Sequence, residues 1–548
     1  MIRSFRPADY QLPLPLEKLI LKDKPSDEAV PFDVCFVGAG PASLAGAIEL
    51  ARLVKSDPKL SSTTIAVIEK GAEVGHHTLS GAVVNPVGFR ELFPDMNPED
   101  FPLGAPVEKE SVLLLTENRS FKLPTPPSMQ NHGNRVGSIC EIVRWLAKQA
   151  EGLGVEVLAG FPVTALFTEG DAVTGVRVVE SGLDHSGNKL GNYQPPTDIT
   201  ARVVALGEGT RGLLTQAWQT WQKVDSENPQ IYALGVKELW QTKKPLHHIV
   251  HSMGWPLPKD AFGGSFMYPL ESHVVALGLV VGLDYQDNTL DVHNLLQGLK
   301  RHPVFKPYFE GGERLEWGAK TIPEGGYYSL PRRLSGGGMV VLGDAAGFVD
   351  VPSLKGIHYA MMSGIYAARA IHAALAADDV SAGTLASYDR SVRESFIVKD
   401  LYKTRNMRLA FKDGFYLGGA MAGIMQLTGG NFPGGRIDMH ADAHRSKYSS
   451  VASQPRYDGT LTFNKVDSVF KAGNETRDSI PSHLIVGEDI PEDVATLYEH
   501  LCPAHVYERV DGRLRVNAPN CVDCKATDVL APRWTPREGG SGPKYKRM

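Results

Sequence analysis

Three thiols near the end of this 548-residue chain carry the first legible chemistry: Cys502, which precedes a proline, and the pair Cys521 and Cys524 in Cys-Val-Asp-Cys. Thiols grouped in this way suit an iron–sulfur cluster, whose usual protein ligands are four cysteine thiolates. The next step of the spacing falls on Thr527, not on a fourth cysteine. A threonine hydroxyl offers a hard, protonated oxygen where iron–sulfide chemistry takes a soft thiolate. Three outcomes stay open for the site. It holds a modified or labile cluster, such as three irons on three thiolates; it holds none; or Asp523 or Asp528 completes a four-iron cluster with a carboxylate.

A second constellation lies near the start. Phe32-Asp-Val-Cys-Phe-Val37 is a β-branched and aromatic run that ends in Gly38-Ala-Gly40-Pro-Ala-Ser43 and continues into helix-forming Leu44–Leu53. Thr64–Ile68 predicts a second strand, closed by Glu69. Strand, glycine turn, helix, strand and acid in that order make a dinucleotide-binding unit. The glycines let a pyrophosphate approach the helix N-terminus, and the acid accepts ribose hydroxyls. Ser43 stands where a third glycine is usual, a position that serves helix–strand packing.

Glu69 in place of an arginine leaves FAD or NAD, and the later segment Gly336–Phe348 selects FAD. It places a strand before Gly343-Asp344 and a small-residue turn before a helix, where Asp344 can accept from ribityl hydroxyls; capping the next helix is the simpler role for an aspartate so placed.

The elements between these anchors must hold them in place. Ser138-Ile-Cys-Glu141 is a capping box that predicts a helix through Ala150, with Cys140 inside it and Cys35 inside the first strand as packing thiols. Arg202–Gly212 again runs from strand into glycine turn, so one discontinuous flavin domain interrupted by sheet segments fits better than two tandem domains. Val506–Asn517 predicts a hairpin about Asp511-Gly512. Gly414–Thr428 is uncharged but holds four glycines and is too short to span a bilayer; it either packs inside the protein or dips into one leaflet.

Composition narrows the classes. Five cysteines in so long a chain, three of them clustered, suit a reducing compartment, and a net charge of −5 argues against nucleic acid as a partner. The N-terminus lacks the apolar core of a signal peptide and the character of a transit peptide, which points to a prokaryotic interior or a mature organellar form. From Cys502 onward nine Lys/Arg face five Asp/Glu, a basic end that could dock an acidic donor or anionic lipid headgroups, or serve only as a solvated tail.

From residue 30 to the end, the chain resembles the electron-transfer flavoprotein-ubiquinone oxidoreductase family. The carriers include Glu69-Lys-Gly-Ala-Glu-Val-Gly75, Leu79-Ser-Gly81, Asn131-His-Gly-Asn134, Lys237-Glu-Leu-Trp240, Gly254-Trp-Pro256, Gly263-Gly-Ser-Phe266, Gly282-Leu-Asp-Tyr-Gln286, Val351–Gly356, Cys502-Pro-Ala and Cys521-Val-Asp-Cys524. The resemblance implies an α/β (α+β) chain: a doubly wound FAD-binding domain of the glutathione-reductase type (30–225 and 325–410), an inserted β-rich quinone-binding region with membrane contact (226–324 with 411–432), and a C-terminal ferredoxin-like domain (486–548).

It further implies an electron-transferring-flavoprotein dehydrogenase that is monotopic on the cytoplasmic face of a bacterial inner membrane, or on the mitochondrial inner membrane. Such an enzyme passes electrons from a reduced, soluble electron-transfer flavoprotein to ubiquinone through FAD and a 4Fe-4S cluster. Carried over, Gly38, Gly40, Glu69, Ser80, Gly81, Gly343, Asp344 and Gly356 surround FAD, and Phe262, Gly263 and Gly264 meet the quinone, with Phe262 where the family has tyrosine. Cys502, Cys521 and Cys524 hold the cluster, and Thr527 takes the fourth position. An ordinary strand bulge is the alternative for the paired glycines. No nucleophile or acid–base triad is expected, because the cofactors carry the electrons. His132, Glu208 and His358 are further polar candidates near the flavin or quinone. The alternative functions are a flavin-dependent hydroxylase or reductase of a lipid-like substrate, a flavin-only quinone reductase, and a non-catalytic adapter.

Overall fold

The computed structural model describes residues 4–432, 434–450 and 455–548. Strand Val30–Val37 lies at the centre of the larger sheet, and its apolar inner residues Val34, Cys35 and Phe36 are fully buried. Helix Pro41–Ser56 carries the chain over to the parallel strand Ile65–Glu69, as the alternation of apolar run and glycine turn predicts. Glu156–Ala159 extends the sheet on one side. On the other side follow Asp198–Leu206, Ala172–Val178, Val163–Glu169 and Ile20–Leu21, with Met339–Val341 parallel to the end of Asp198–Leu206. Helix Ile357–Ala376 crosses helix Pro41–Ser56 so closely that a Cβ on Gly364 would fall 1.9 Å from the Ala42 carbonyl oxygen. That crossing requires glycine and fixes the glycine turn against the Gly343 segment.

A second, seven-stranded sheet stands beside the first, in the order Glu313–Pro323, Tyr232–Gln241, Val274–Gly282, Gly263–Glu271, Ile249–Gly254, Glu110–Leu115 and Ser120–Leu123. Its last two strands come from the sequence before the inserted region. Val274–Gly282 is almost wholly buried, and its run of valine and leucine reads as a central strand covered on both faces.

The C-terminal region begins with helix Glu492–Leu501, which ends at Cys502. Strands Tyr507–Val510 and Arg513–Val516 form the expected hairpin, with Asp511 (φ 50°) and Gly512 (φ 74°) in the left-handed conformations that a tight Asp-Gly turn needs. The tail then returns to the segment after strand Ile65–Glu69, where the Gly540 amide donates to the Lys70 carbonyl and the Tyr545 amide to the His76 carbonyl. Mixed α/β architecture with a cysteine-bearing β element at the end is therefore as the sequence suggests.

Candidate functional site

Between the two sheets lies a cavity of ≈1030 Å³, at the upper end of the roughly 300–1,000 Å³ typical of ligand sites. Gly38, Gly40, Glu69, Ser80, Gly81, Gly343, Asp344 and Gly356 all line it, and so do Phe262, Gly263 and Gly264. Gly38 adopts φ 93°, and a Cβ there would strike the Gly207 carbonyl oxygen at 2.6 Å, so the turn leaves room for a ligand only with glycine. Gly40 caps helix Pro41–Ser56, and Gly40, Pro41 and Ala42 bring the helix N-terminus to the cavity wall. The Glu69 carboxylate accepts from the Ala39 amide at 2.9 Å and the Gly71 amide at 2.8 Å, which pins the acid at the rim. Ser43 is fully buried and packs against Gly207, the packing role its position implies.

Asp344 lines the cavity and also borders a smaller neighbouring cleft beside Arg211 and Tyr232. Desolvation pushes its carboxyl up to about 6, and Lys320 opposes the rise. This buried acceptor beside a glycine turn and a helix N-terminus fits the polyol and pyrophosphate of FAD. Five lysines also line the cavity: Lys70, Lys237, Lys320, Lys355 and Lys525. Burial pushes Lys237 and Lys320 down to about 8 and Lys525 down to about 7. Lys237 donates to the Ser80 carbonyl at 3.0 Å, and Lys525 to the Arg211 carbonyl at 3.0 Å. A concentration of lysine side chains around one cavity favours any ligand that gains negative charge there.

At the far wall, Gly263 and Gly264 open strand Gly263–Glu271 in regular register with Val281 and Val280. A Cβ on Gly263 would meet the Val280 carbonyl oxygen at 2.1 Å, and one on Gly264 the Ser252 oxygen at 2.7 Å. The glycines thus serve close strand packing while they line the cavity, and no bulge falls at their position. Phe262 stacks edge-on with Phe411 at 4.8 Å between centroids, and the Arg408 guanidinium lies 4.2 Å from its ring centre. Arg408 is held by Glu324 (2.7 Å) and Asp284 (2.9 Å). His251 Nε2 and Tyr268 Oη share a hydrogen bond at 2.5 Å, and both residues line the cavity. Burial pushes the imidazole down to about 4 and the phenol far up, so the pair is neutral.

Gly414–Thr428 is a surface helix, Phe415–Leu427, and not an interior one. Only Gly418 and Met425 are buried, while Tyr416, Leu417, Ile424 and Leu427 are exposed, Leu427 at 89%. Phe415, Gly419, Gly423, Ile424 and Leu427 also line the cavity, so this apolar helix forms its outer edge. Among the described residues no helix is long and apolar enough to cross a membrane.

The cysteine loop closes the opposite end. Cys502, Cys521 and Cys524 are free, buried thiols whose acidity burial suppresses, and Thr527 sits beside them in the short helix Ala526–Leu530. These three buried sulfurs could ligate an iron–sulfur cluster, and Thr527 offers no fourth sulfur. Asp523 accepts from Arg537 (2.9 Å) and Trp534 Nε1 (3.1 Å) and is flanked by Lys70 and His77. Asp528 pairs with Arg211 and accepts from the Trp534 amide at 2.9 Å. His483, Cys521 and Asp523 converge as a potential metal group, but Arg537 and Lys70 beside it oppose a lone cation. The loop meets the cavity directly, because Lys525 and Trp534 line it and Lys525 lies 4.5 Å from the Trp534 ring centre.

Of the other polar candidates, Glu208 lines the cavity but spends its oxygens on Leu214, Thr215 and the following helix. His358 packs between Tyr359 and Phe396 outside the lining, and His132 is exposed. Cys35 and Cys140 are buried packing thiols. Much of the basic end is consumed internally: Lys525 and Arg537 are buried, and Arg509, Lys544 and Arg547 are ion-paired. Sequence inspection missed the cavity lysines, the His251–Tyr268 pair and Arg408. Lys237 lay inside a noted motif, but only the fold shows that its ammonium turns inward.

Comparison with known proteins agrees with this geometry. A family model for the ETF-QO ubiquinone-binding domain matches residues 232–322, and one for the electron transfer flavoprotein-ubiquinone oxidoreductase 4Fe-4S domain matches residues 459–546. The mitochondrial electron transfer flavoprotein-ubiquinone oxidoreductase of Oryza sativa subsp. japonica is 38% identical, covering 95% of this chain and 94% of that protein. The Pseudomonas aeruginosa enzyme of the same name is 38% identical, covering 95% of this chain and 100% of its own, and the human mitochondrial one is 36% identical over 94% and 89%. Among solved structures, a geranylgeranyl bacteriochlorophyll reductase-like protein from Thermoplasma acidophilum superposes with a TM-score of 0.56 at 17% identity, covering 74% of this chain and 92% of that one, a likeness of fold alone. Cavity, cysteine loop and relatives lead to one assignment: the chain belongs to the electron transfer flavoprotein-ubiquinone oxidoreductase family.

Proposed function

We propose that this protein is an electron-transferring-flavoprotein dehydrogenase. It takes electrons from a reduced electron-transfer flavoprotein and delivers them to ubiquinone, with FAD in the cavity and an iron–sulfur cluster on Cys502, Cys521 and Cys524. The observation that carries this reading is the shared wall: Lys320, Thr321, Lys525 and Trp534 line the cavity, and Thr321 also bonds the cysteine loop at the Cys524 carbonyl. A one-electron centre and a flavin held so closely suit a relay. When bound, the flavin exchanges electrons in pairs or singly and the cluster carries them singly.

The chain's own residues supply position, field and proton. Gly38 and Gly40 admit the pyrophosphate, Glu69 and Asp344 accept from the ribose and ribityl hydroxyls, and the cavity lysines offset negative charge on the flavin. At the far wall, amides near Gly263 and Gly264 and the Arg408-supported face of Phe262 hold a quinone head group, while Phe415, Ile424 and Leu427 keep its tail out of water. Quinol formation also needs protons, and the His251–Tyr268 pair holds one between Nε2 and Oη at 2.5 Å at the cavity wall. The exposed apolar side of Phe415–Leu427 dips into one leaflet of an inner membrane on its cytoplasmic or matrix side, which brings the cavity edge to the quinone pool.

Purified holoprotein is expected to reduce a short-chain ubiquinone when reduced electron-transfer flavoprotein is supplied and to be inert with NADH or NADPH. Turnover with a nicotinamide and a lipid-like substrate, without the donor flavoprotein, would move the assignment to a hydroxylase or reductase.

A further inference from the structure

The fourth corner of the cysteine site is where this chain parts from a four-thiolate set. Thr527 brings only a neutral hydroxyl. Both acids that could swing in are already committed. Asp523 is held by Arg537, Trp534, Lys70 and His77, and moving it would strand buried cations. Asp528 is held by Arg211 and the Trp534 amide. His483 groups with Cys521 and Asp523, close to Arg537. The polar groups around the buried Tyr507 phenol are Thr527, which interacts with it through its hydroxyl, together with Cys502 and Cys521. The corner is therefore lined by neutral hydroxyls, and it offers neither a fourth thiolate nor an uncommitted carboxylate.

We infer that Cys502, Cys521 and Cys524 are the cluster's only protein ligands, and that the corner beside Thr527 and Tyr507 is an exchangeable iron site completed by a water or hydroxide. The inference rests on the cluster assignment above and adds to it a reversible change of iron content. In the removal step, an oxidised four-iron cluster of net charge 2+ gives a three-iron cluster of net charge 1+, one Fe2+ and one electron, which a one-electron oxidant such as ferricyanide accepts. Addition of ferrous iron and a thiol reductant reverses it. A fourth thiolate would oppose this loss, because a soft anionic ligand holds iron far more tightly than a neutral oxygen.

The test is iron per flavin together with low-temperature EPR on anaerobically purified holoprotein before and after ferricyanide, then after ferrous iron and dithiothreitol. The expected course is loss of one iron in four, a signal that appears in the oxidised protein, and restoration of both on repair. Thr527→Cys is expected to keep its fourth iron under the same oxidation. Tyr507→Phe, which tests phenolate ligation and stands in if Thr527→Cys does not fold, is expected to exchange iron as the parent does. The inference is overturned if the parent keeps four irons and stays silent through oxidation, or if Tyr507→Phe alone abolishes the fourth iron. Flavin-loaded protein without iron also overturns it, and leaves the flavin and quinone part of the proposed function to stand on its own assay.

Discussion

Thr321 holds the carbonyl oxygen of Cys524 with two hydrogen bonds, from its amide at 3.0 Å and from its hydroxyl at 2.9 Å. Thr321 belongs to the quinone-side sheet and lines the cavity, and Cys524 belongs to the cysteine loop, so one buried residue couples the two parts of the site. Thr321→Val keeps the shape and the amide bond but deletes the hydroxyl bond. The expected cost is about 1 kcal/mol, seen as a lower apparent Tm of the holoprotein, with the three thiols still present by titration.

Gly38→Ala places a Cβ against Gly207 in a left-handed turn. The conformational cost alone is about 1–2 kcal/mol, and the contact at 2.6 Å adds to it. Flavin retention is expected to weaken about tenfold or more, measured as FAD per protein after gel filtration. Full flavin content in this variant would place the pyrophosphate elsewhere.

His251 gives a pH dependence whose sign is fixed by burial. Its imidazole falls from the ordinary 6.5 to about 4 in the folded protein, so between those values the unfolded chain binds more protons. Stability is then lost as pH falls from about 6.5 to about 4 and does not change on this account above 6.5. The gap amounts to about 3 kcal/mol. His251→Gln is expected to reduce the difference in apparent Tm between pH 7 and pH 4, without removing it, since His77, His293, His358 and His483 are displaced downward as well.

Leu427 is 89% exposed at the end of the apolar surface helix. Burying such a side chain in lipid contributes about 2 kcal/mol, so Leu427→Asp is expected to weaken binding to phospholipid vesicles about tenfold or more in a sedimentation assay. Flavin content is expected to remain that of the parent.

The glycine-turn half of the cavity was legible because it is written in contiguous backbone geometry. Gly38, Gly40 and Glu69 sit at the junctions of one βαβ unit, and Gly343-Asp344 repeats the strand-to-turn pattern. The Asp511-Gly512 hairpin was equally local. What could not be read is what the second sheet assembles from distant segments. Glu110–Leu115 pairs with Ile249–Gly254, and His251 meets Tyr268 across two strands. Lys320 and Lys525, far apart in sequence, turn toward one cavity because Thr321 grips the Cys524 carbonyl. The fate of Asp523 and Asp528 was open for the same reason, since their partners Lys70 and Arg211 come from the flavin domain. Gly414–Thr428 stayed ambiguous because its small apolar residues suit an interior and a lipid surface alike.

The most direct measurement is anaerobic stopped-flow absorbance of the holoprotein mixed first with reduced electron-transfer flavoprotein and then with a short-chain ubiquinone. The account predicts that the bound flavin bleaches on the first mixing and recovers its oxidised absorbance on the second. Flavin that stays oxidised with the donor flavoprotein but bleaches with NADH or NADPH would contradict it.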